Sequence, residues 1–124
     1  MKPISYSFLL VGTVAVILGM LWGIQMSATG DHTLAPAHAH LNLLGWVSMA
    51  IFAFYYQLVP GAEQGLLPKL HFAAAVVALG LLVPGIVLAI QGKGDMLAKL
   101  GSVVAAVSML LFLFVLVRTG RKTA

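Results

Sequence analysis

Four long apolar runs, separated by short polar connections, account for most of this chain. They extend approximately over residues 5–25, 36–59, 66–90 and 96–117. Each run is long enough for the roughly 20 apolar residues that a membrane-spanning helix requires. Because the hydrocarbon core offers no water to backbone groups, helices are the state that satisfies such runs. The pattern predicts an all-α fold, an integral membrane four-helix bundle that forms a single domain over residues 1–124.

Composition supports a membrane protein and excludes a soluble domain. Hydrophobic residues make up 61% of the chain and charged residues 8%, and the mean hydropathy is +1.06. Soluble domains usually carry about 25% charged residues. The chain contains no cysteine, so disulfides, thiolate ligands and iron–sulfur clusters are excluded.

The positive charges are distributed unevenly between the two sides of the predicted bundle. Most of the 7 lysines and arginines fall on the side of the termini, namely Lys2, Lys69, Arg118, Arg121 and Lys122. Lys93 and Lys99 fall on the other side. By the positive-inside rule, this asymmetry predicts that both termini lie in the cytoplasm. We expect the net charge of +4 to favour contact with anionic membrane lipids rather than with nucleic acid. The membrane is expected to be the bacterial inner membrane.

Two histidines, His38 and His40, begin the second apolar run, in the segment PAHAHLNLLGWVSMAIFAFYY over residues 36–56. An ionisable side chain inside a membrane span is costly and is a functional-site hypothesis by default. Imidazole is a common ligand of haem iron, copper and zinc. Because helix positions two apart point about 200° away from each other, the two side chains are predicted to lie on opposite faces. They are therefore expected to serve two sites and not to chelate one ion together.

Several further side chains are candidates for the same site. Asn42 is expected either to orient a ligand imidazole or to hydrogen-bond a neighbouring helix, and Trp46 follows one turn later. His32, in the first connection, is either a third ligand or a solvated loop residue. Lys93 and Lys99 lie on the predicted side of the histidines and are candidates to pair with cofactor carboxylates.

The polar aromatic residues and the fourth histidine lie toward the opposite membrane face. Tyr55 and Tyr56 close the second run and are expected to form an interfacial belt with hydroxyls at the headgroups; a radical or proton role is the alternative. His71 begins the third run and is expected at headgroup level. With about 30 Å of hydrocarbon between the faces, it cannot share a metal with His38 and His40 within one chain.

Small residues recur at helical spacing in the first and fourth runs. Gly19 and Gly23 form a GxxxG spacing, and Gly101 and Ala105 repeat the interval in the fourth run. Such residues let helices approach closely. We expect these two faces to hold neighbouring copies of the chain together.

The segment HAHLNLLGWVSMAIFAFYY resembles the histidine-bearing helices of haem-copper oxidase subunit I and its nitric-oxide-reductase relatives. In that family an H-x-H helix presents one histidine to a low-spin haem and its neighbour to a high-spin haem. The family's catalytic subunit has twelve core helices in three groups of four, and the ligand helices are second in each group. The resemblance implies that His38 and His40 are axial ligands of haem b, and that the chain corresponds to one such group.

The chain also departs from the oxidase pattern. It has no second histidine helix, no pair of copper-binding histidines, and no arginine on the outer side to hold haem propionates. Oxygen or nitric-oxide reduction within one chain is therefore not expected, and whether the protein is an enzyme stays open.

Three functions are compatible with these residues. The leading hypothesis is a membrane haem-b-binding protein for electron transfer or for redox or gas sensing. The alternatives are a copper or zinc binding or transport unit that uses the same histidines with Met49 or His32, and a structural or assembly subunit of a respiratory complex. Since one helix offers each haem a single ligand, we expect a homo-oligomer with cofactors at the subunit interfaces. A trimer is favoured by analogy with the oxidase's three groups, and a respiratory-chain partner is expected.

Overall fold

The computed structural model describes residues 1–122 of the chain and consists of four long helices. These are α1 (Pro3–Thr29), α2 (Ala35–Leu58), α3 (Leu67–Ile90) and α4 (Met96–Gly120). Each helix is long and apolar enough to cross a membrane, and no strand occurs within the described residues. The predicted all-α, four-helix membrane fold is therefore confirmed. α1 and α4 continue about one turn beyond the predicted ends of their runs.

Proline and glycine mark several helix ends. Pro3, Pro36 and Pro68 occupy the first turns of α1, α2 and α3, where the missing N–H costs no intrahelical hydrogen bond. Gly30 follows α1 with a left-handed backbone (φ 69°), and its N–H donates to the Met26 carbonyl at 2.9 Å. A residue without a Cβ adopts this conformation at little cost. Short connections can therefore join the helices.

The helices run up and down, so the bundle has two ends. The terminal end carries Lys2, the α2–α3 connection (residues 59–66) and the last turn of α4. The histidine end carries the α1–α2 connection (residues 30–34), the start of α2 and the α3–α4 connection (residues 91–95). α2 packs along α1 over its whole length and contacts α3 through its first part, while α3 and α4 pack along each other.

Glycines of α1 form a groove that α2 fills. An added Cβ at Gly12 would lie 3.1 Å from the Met49 Cβ, and one at Gly19 would collide with the Asn42 side chain. Because membrane helices gain stability from close backbone approach, these positions determine how tightly α1 and α2 associate.

A similar close approach joins α3 and α4. An added Cβ at Gly101 would lie 2.7 Å from the Leu82 backbone, and Ala105 lines a small cavity between α2, α3 and α4. The expectation that the small-residue faces join neighbouring copies is therefore wrong. Helices of the same chain already cover Gly19, Gly23 and Gly101.

The largest buried cluster lies near the terminal end and combines aromatic side chains from all four helices. Phe8 of α1 stacks on Tyr56 of α2 with ring centroids 5.6 Å apart, and Phe112 of α4 stacks on His71 of α3 at 5.4 Å. Tyr56 and His71 are fully buried, and the Tyr56 hydroxyl oxygen lies 2.9 Å from His71 Nδ1. The cluster thus contains a polar pair surrounded by apolar rings.

The burial of this cluster corrects two predictions. His71 does not lie among headgroups, because the aromatic rings enclose it. The Tyr56 hydroxyl, expected at the headgroups, is enclosed as well and contacts His71, while the Tyr55 hydroxyl lies 2.9 Å from Thr119 Oγ1. Position along a helix predicts the depth of a residue, whereas packing decides whether it faces lipid or the interior.

The middle of α2 is π-helical over Leu43–Ser48. A π-turn holds one more residue than an α-turn, and its hydrogen bonds join residues five apart. Gly45 lies in this segment, and an added Cβ there would lie 2.7 Å from the Ala15 Cβ of α1. The wide turn therefore coincides with a close approach of α1. The sequence pattern predicted a regular α-helix here.

The second residue of the chain holds the terminal end together. Lys2 Nζ forms an ion pair with Glu63 Oε2 at 3.0 Å and donates to the Val59 carbonyl at 3.4 Å. The Lys2 backbone N–H donates to Gln57 Oε1 at 2.9 Å. Hydrogen bonds from its own backbone N–H and from Lys2 hold the pKa of Glu63 below its usual value. These contacts join the start of α1 to the α2–α3 connection.

Candidate cofactor-binding site

The His38 side chain faces α1 and lies between α1 and α2. Its imidazole is half-buried, and an added Cβ at Gly23 would lie 3.2 Å from its Cε1. The Trp22 ring approaches it edge-on, with centroids 6.1 Å apart and planes at 89°. The absence of a side chain at Gly23 thus creates the space that the imidazole occupies.

Asn42 contacts this imidazole from one turn further along α2. Asn42 Nδ2 lies 3.2 Å from His38 Nε2, in the space left by Gly19. The other polar atoms of the pair, His38 Nδ1 and Asn42 Oδ1, are buried without a hydrogen-bond partner. One ring nitrogen of His38 is therefore engaged, and the other is enclosed by the α1–α2 interface.

His40 has a different environment on the same helix. Its Nδ1 lies 2.7 Å from the Pro36 carbonyl oxygen. Because a carbonyl only accepts hydrogen bonds, this contact requires a proton on Nδ1, so in the neutral imidazole Nε2 carries the lone pair. Histidines that bind metals through Nε2 typically donate Nδ1–H to such a partner. The side chain is partly exposed, on the side of α2 that also exposes Val47 and Ile51.

Trp46 does not lie beside His40. An added Cβ at Gly12 would be 3.5 Å from Trp46 Cε3, so the indole packs on α1, on the same side of α2 as His38. The ring lies within the π-helical segment, deeper in the bundle than either histidine. Its contacts are those of a helix-packing residue.

Lys93 and Lys99 lie at the histidine end, at the α3–α4 connection and the start of α4. Lys99 Nζ forms an exposed ion pair with Asp95 Oδ2 at 3.0 Å, and Lys93 is exposed. Within residues 1–122, no hydrogen bond or ion pair joins either lysine to a histidine. The lysines lie at the same end of the bundle as His38 and His40 but do not bond to them.

His32 lies in the α1–α2 connection and is exposed. Its Nδ1 lies 3.2 Å from the Gly30 carbonyl oxygen. The neighbouring Asp31 Oδ1 accepts hydrogen bonds from the Thr33 hydroxyl at 2.5 Å and the Thr33 backbone N–H at 3.0 Å. These two bonds lower the pKa of Asp31. The connection is thus closed by local hydrogen bonds, and Asp31 is engaged with Thr33.

The described residues provide no complete metal chelate in one chain. Among residues 1–122, no three histidine, aspartate or glutamate side chains lie close enough to hold a metal ion. Structural zinc sites use four protein ligands and catalytic ones three. A zinc or copper site built on these histidines therefore requires ligands from a second molecule.

The two candidate axial ligands fit a haem unequally. His40 combines an Nδ1 that donates to a backbone carbonyl with a partly exposed position on a helix that also exposes Leu43, Val47 and Ile51. As it lies here, His38 does not fit, because its Nε2 meets the Asn42 amide and its ring fills a groove made by a glycine. The geometry supports one outward ligand from each chain.

The buried pair of Tyr56 and His71 is the polar feature that the sequence analysis missed. His71 Nε2 is buried without a hydrogen-bond partner, and the Phe52 ring lies nearly perpendicular to the imidazole, with centroids 4.4 Å apart. The available signal was the concentration of Phe8, Phe52, Tyr56 and Phe72 at one end of the bundle.

The chain was compared with protein-family models, with curated proteins and with solved structures. None of the three comparisons found a match.

Proposed function

We propose that the chain is an integral membrane haem-b-binding protein, related to haem-copper oxidase subunit I, in which His40 is an axial ligand. One observation carries the proposal, the hydrogen bond between His40 Nδ1 and the Pro36 carbonyl at 2.7 Å. In the neutral imidazole it selects the tautomer whose Nε2 lone pair is free, on the outer side of α2. An iron ligand needs that protonation state and that access.

The residues around His40 suit the binding of a flat apolar group. The Pro36 carbonyl holds the imidazole in one orientation, and Leu43 and Val47 are 57% and 44% exposed on α2. A haem that covers these side chains makes van der Waals contacts with them, and these contacts hold it in one orientation. A haem held by two imidazoles exchanges single electrons and has no open iron position. We therefore propose electron transfer or redox sensing in the bacterial inner membrane with a respiratory-chain partner. Gas sensing would require the gas molecule to displace one imidazole from the iron.

The second axial ligand is proposed to come from another copy of the chain. Each chain offers one outward imidazole on α2, since His32 lies in the α1–α2 connection, and two-fold pairing of α2 faces would bring two His40 side chains to one haem. The trimer expected from the oxidase resemblance would need a further ligand at each interface. His38 would supply it only after leaving Asn42. The two assemblies differ in stoichiometry: one haem for two chains in the dimer, and up to one for each chain in the trimer.

Absorption spectroscopy of the detergent-purified protein, oxidised and then reduced with dithionite, tests the proposal. We expect the Soret and α-band pattern of a bis-imidazole haem in the wild type. His40→Ala should lose haem or its bis-imidazole spectrum. His38→Ala should retain both, since its imidazole faces α1. Native mass spectrometry in mild detergent gives the number of chains and haems in the same sample.

Two controls separate loss of the ligand from loss of the fold. His32→Ala removes an exposed imidazole at the same end of the bundle, and His71→Ala removes a buried one at the other. A colourless wild-type protein after expression with added haem would contradict the proposal. So would a His40→Ala variant with an unchanged spectrum.

A copper or zinc site is the second candidate, favoured by the same outward Nε2. Two His40 side chains across a two-fold interface would give half of a tetrahedral site. Elemental analysis distinguishes the candidates, because this function predicts colourless protein with stoichiometric metal that is lost in His40→Ala. A structural subunit of a respiratory complex would show neither haem nor metal.

A further inference from the structure

A basic cleft lies at the terminal end, between the α2–α3 connection and the last turn of α4. Its volume is about 430 Å³, and its lining includes Gly61, Gln64, Gly65, Arg118, Thr119 and Lys122. Two of these side chains are cationic and none is acidic. The cleft lies at the opposite end of the bundle from His32, His38 and His40.

Within the described residues, 1–122, no ion pair joins a carboxylate to Arg118 or Lys122. Glu63 is the acidic side chain of the α2–α3 connection, and it is paired with Lys2 at 3.0 Å, away from the cleft. Arg118 is exposed and makes one long hydrogen bond, from Nη2 to the Gln64 carbonyl at 3.5 Å. Guanidinium has five N–H donors, so most of them stay available to an anionic ligand.

The floor of the cleft is open backbone. Gly61 and Gly65 have left-handed φ angles of 77° and 86°, a conformation that favours glycine. An added Cβ at Gly65 would meet no atom within 4 Å. A tetrahedral anion can therefore approach the connection without displacing a side chain.

Exposed apolar side chains flank the lining residues in the sequence. Leu58 is 75% exposed, Leu66 67% and Val117 50%, and each is close in sequence to a residue of the lining. A ligand with an anionic head and apolar tails would satisfy both the cations and these side chains, whereas free phosphate would use only the cations. Basic pockets at the ends of membrane helices bind anionic headgroups in this way.

We propose that this cleft binds the phosphate headgroup of one anionic phospholipid, whose acyl chains lie along the exposed leucine and valine side chains. The site does not depend on haem or on the proposed function of His40. Its ligand class is a phosphodiester lipid with net negative charge.

Native mass spectrometry of the full chain in mild detergent, titrated with phosphatidylglycerol or phosphatidylcholine, tests the proposal. We expect one tightly retained phosphatidylglycerol for each chain and weaker retention of phosphatidylcholine. The double variant Arg118→Gln and Lys122→Gln should weaken phosphatidylglycerol binding by about tenfold or more, since each cation contributes several-fold. The matched control, Lys93→Gln and Lys99→Gln, removes the same charge at the histidine end and should leave binding nearly unchanged.

Each other outcome overturns the proposal. Equal losses in the two double variants would show general attraction to positive charge, and equal retention of the two lipids would remove the headgroup preference. Displacement of the lipid by millimolar inorganic phosphate would assign the cleft to the free anion. Lys122 lies beyond the end of α4, so the single variant Lys122→Gln tests the cleft without altering a helix. Unchanged phosphatidylglycerol binding in both this variant and the double variant would contradict the site.

Discussion

His71 and His40 are the same kind of side chain, each near the start of a membrane helix, in opposite environments. His71 is fully buried at the terminal end, with a side-chain partner in Tyr56 and aromatic rings around it. His40 is partly exposed at the histidine end, with a backbone partner in the Pro36 carbonyl. The first arrangement satisfies an imidazole inside the fold, and the second orients one toward a ligand outside it. Residue type and depth are therefore insufficient to identify a ligand histidine.

The largest expected difference between the two ends is the side of the membrane on which each one lies. Because the chain has no cysteine, single cysteines at Thr33 and Gln64, both exposed, report the histidine end and the terminal end separately. We expect a membrane-impermeant maleimide to label intact cells only at Thr33→Cys, since most lysines and arginines lie at the terminal end. Labelling only at Gln64→Cys would place His40 on the cytoplasmic side.

Removal of each imidazole should then affect different properties. His71→Ala should lower the free energy of unfolding by about 2–4 kcal/mol, because it opens a cavity among the rings and leaves the Tyr56 hydroxyl unpaired. His40→Ala should change stability by less than about 1 kcal/mol. Unfolding of both variants in mixed detergent, followed by circular dichroism, measures the difference. Equal stability losses would contradict the distinction between a structural and a ligand histidine.

Asn42→Ala tests whether His38 belongs with His71 or with His40. Removal of the amide leaves both ring nitrogens of a half-buried imidazole without a partner, and we expect a loss of about 1 kcal/mol. The haem spectrum should stay unchanged. Ser7→Ala is the control, because the Ser7 hydroxyl is exposed and bonds only to its own helix at the Pro3 carbonyl. A changed spectrum in Asn42→Ala would make His38 a ligand after all.

The smallest effect is expected from the ion pair of Lys2 and Glu63. The pKa of Glu63 is lowered in the folded chain, so its stabilising contribution is complete above the ordinary carboxyl pKa, about 4.3. The contribution is lost as the pH falls through the lower, folded-state pKa. The difference in melting temperature between wild type and Glu63→Gln should therefore be present at neutral pH and disappear in acid. Asp95→Asn, at the exposed pair with Lys99, is the control, and a difference that persists in acid would exclude the charge as its cause.

Hydropathy alone predicted the four helices, because runs of this length have one way to satisfy their backbone in hydrocarbon. The same pattern did not predict which residues face inward. All four spans are apolar nearly all round, so periodicity carries little information about the position of His71. The inner face of α2 was predictable where polar residues interrupt the pattern, at His38 and Asn42. The pairing of Gly19 with Asn42 and of Gly23 with His38 depends on three-dimensional packing that no local signal encodes.

The π-helical segment Leu43–Ser48 sets the angular position of His40. An α-helix advances about 100° for each residue, so deletion of one residue in this segment would restore a regular helix and rotate everything before it by that angle. The first turns of α2 would then present a different face to the membrane, while Tyr56 and the aromatic cluster stayed in place. Deletion of one residue would thus rotate the first half of α2 about the helix axis relative to its second half. It would redirect the imidazole without changing its chemistry.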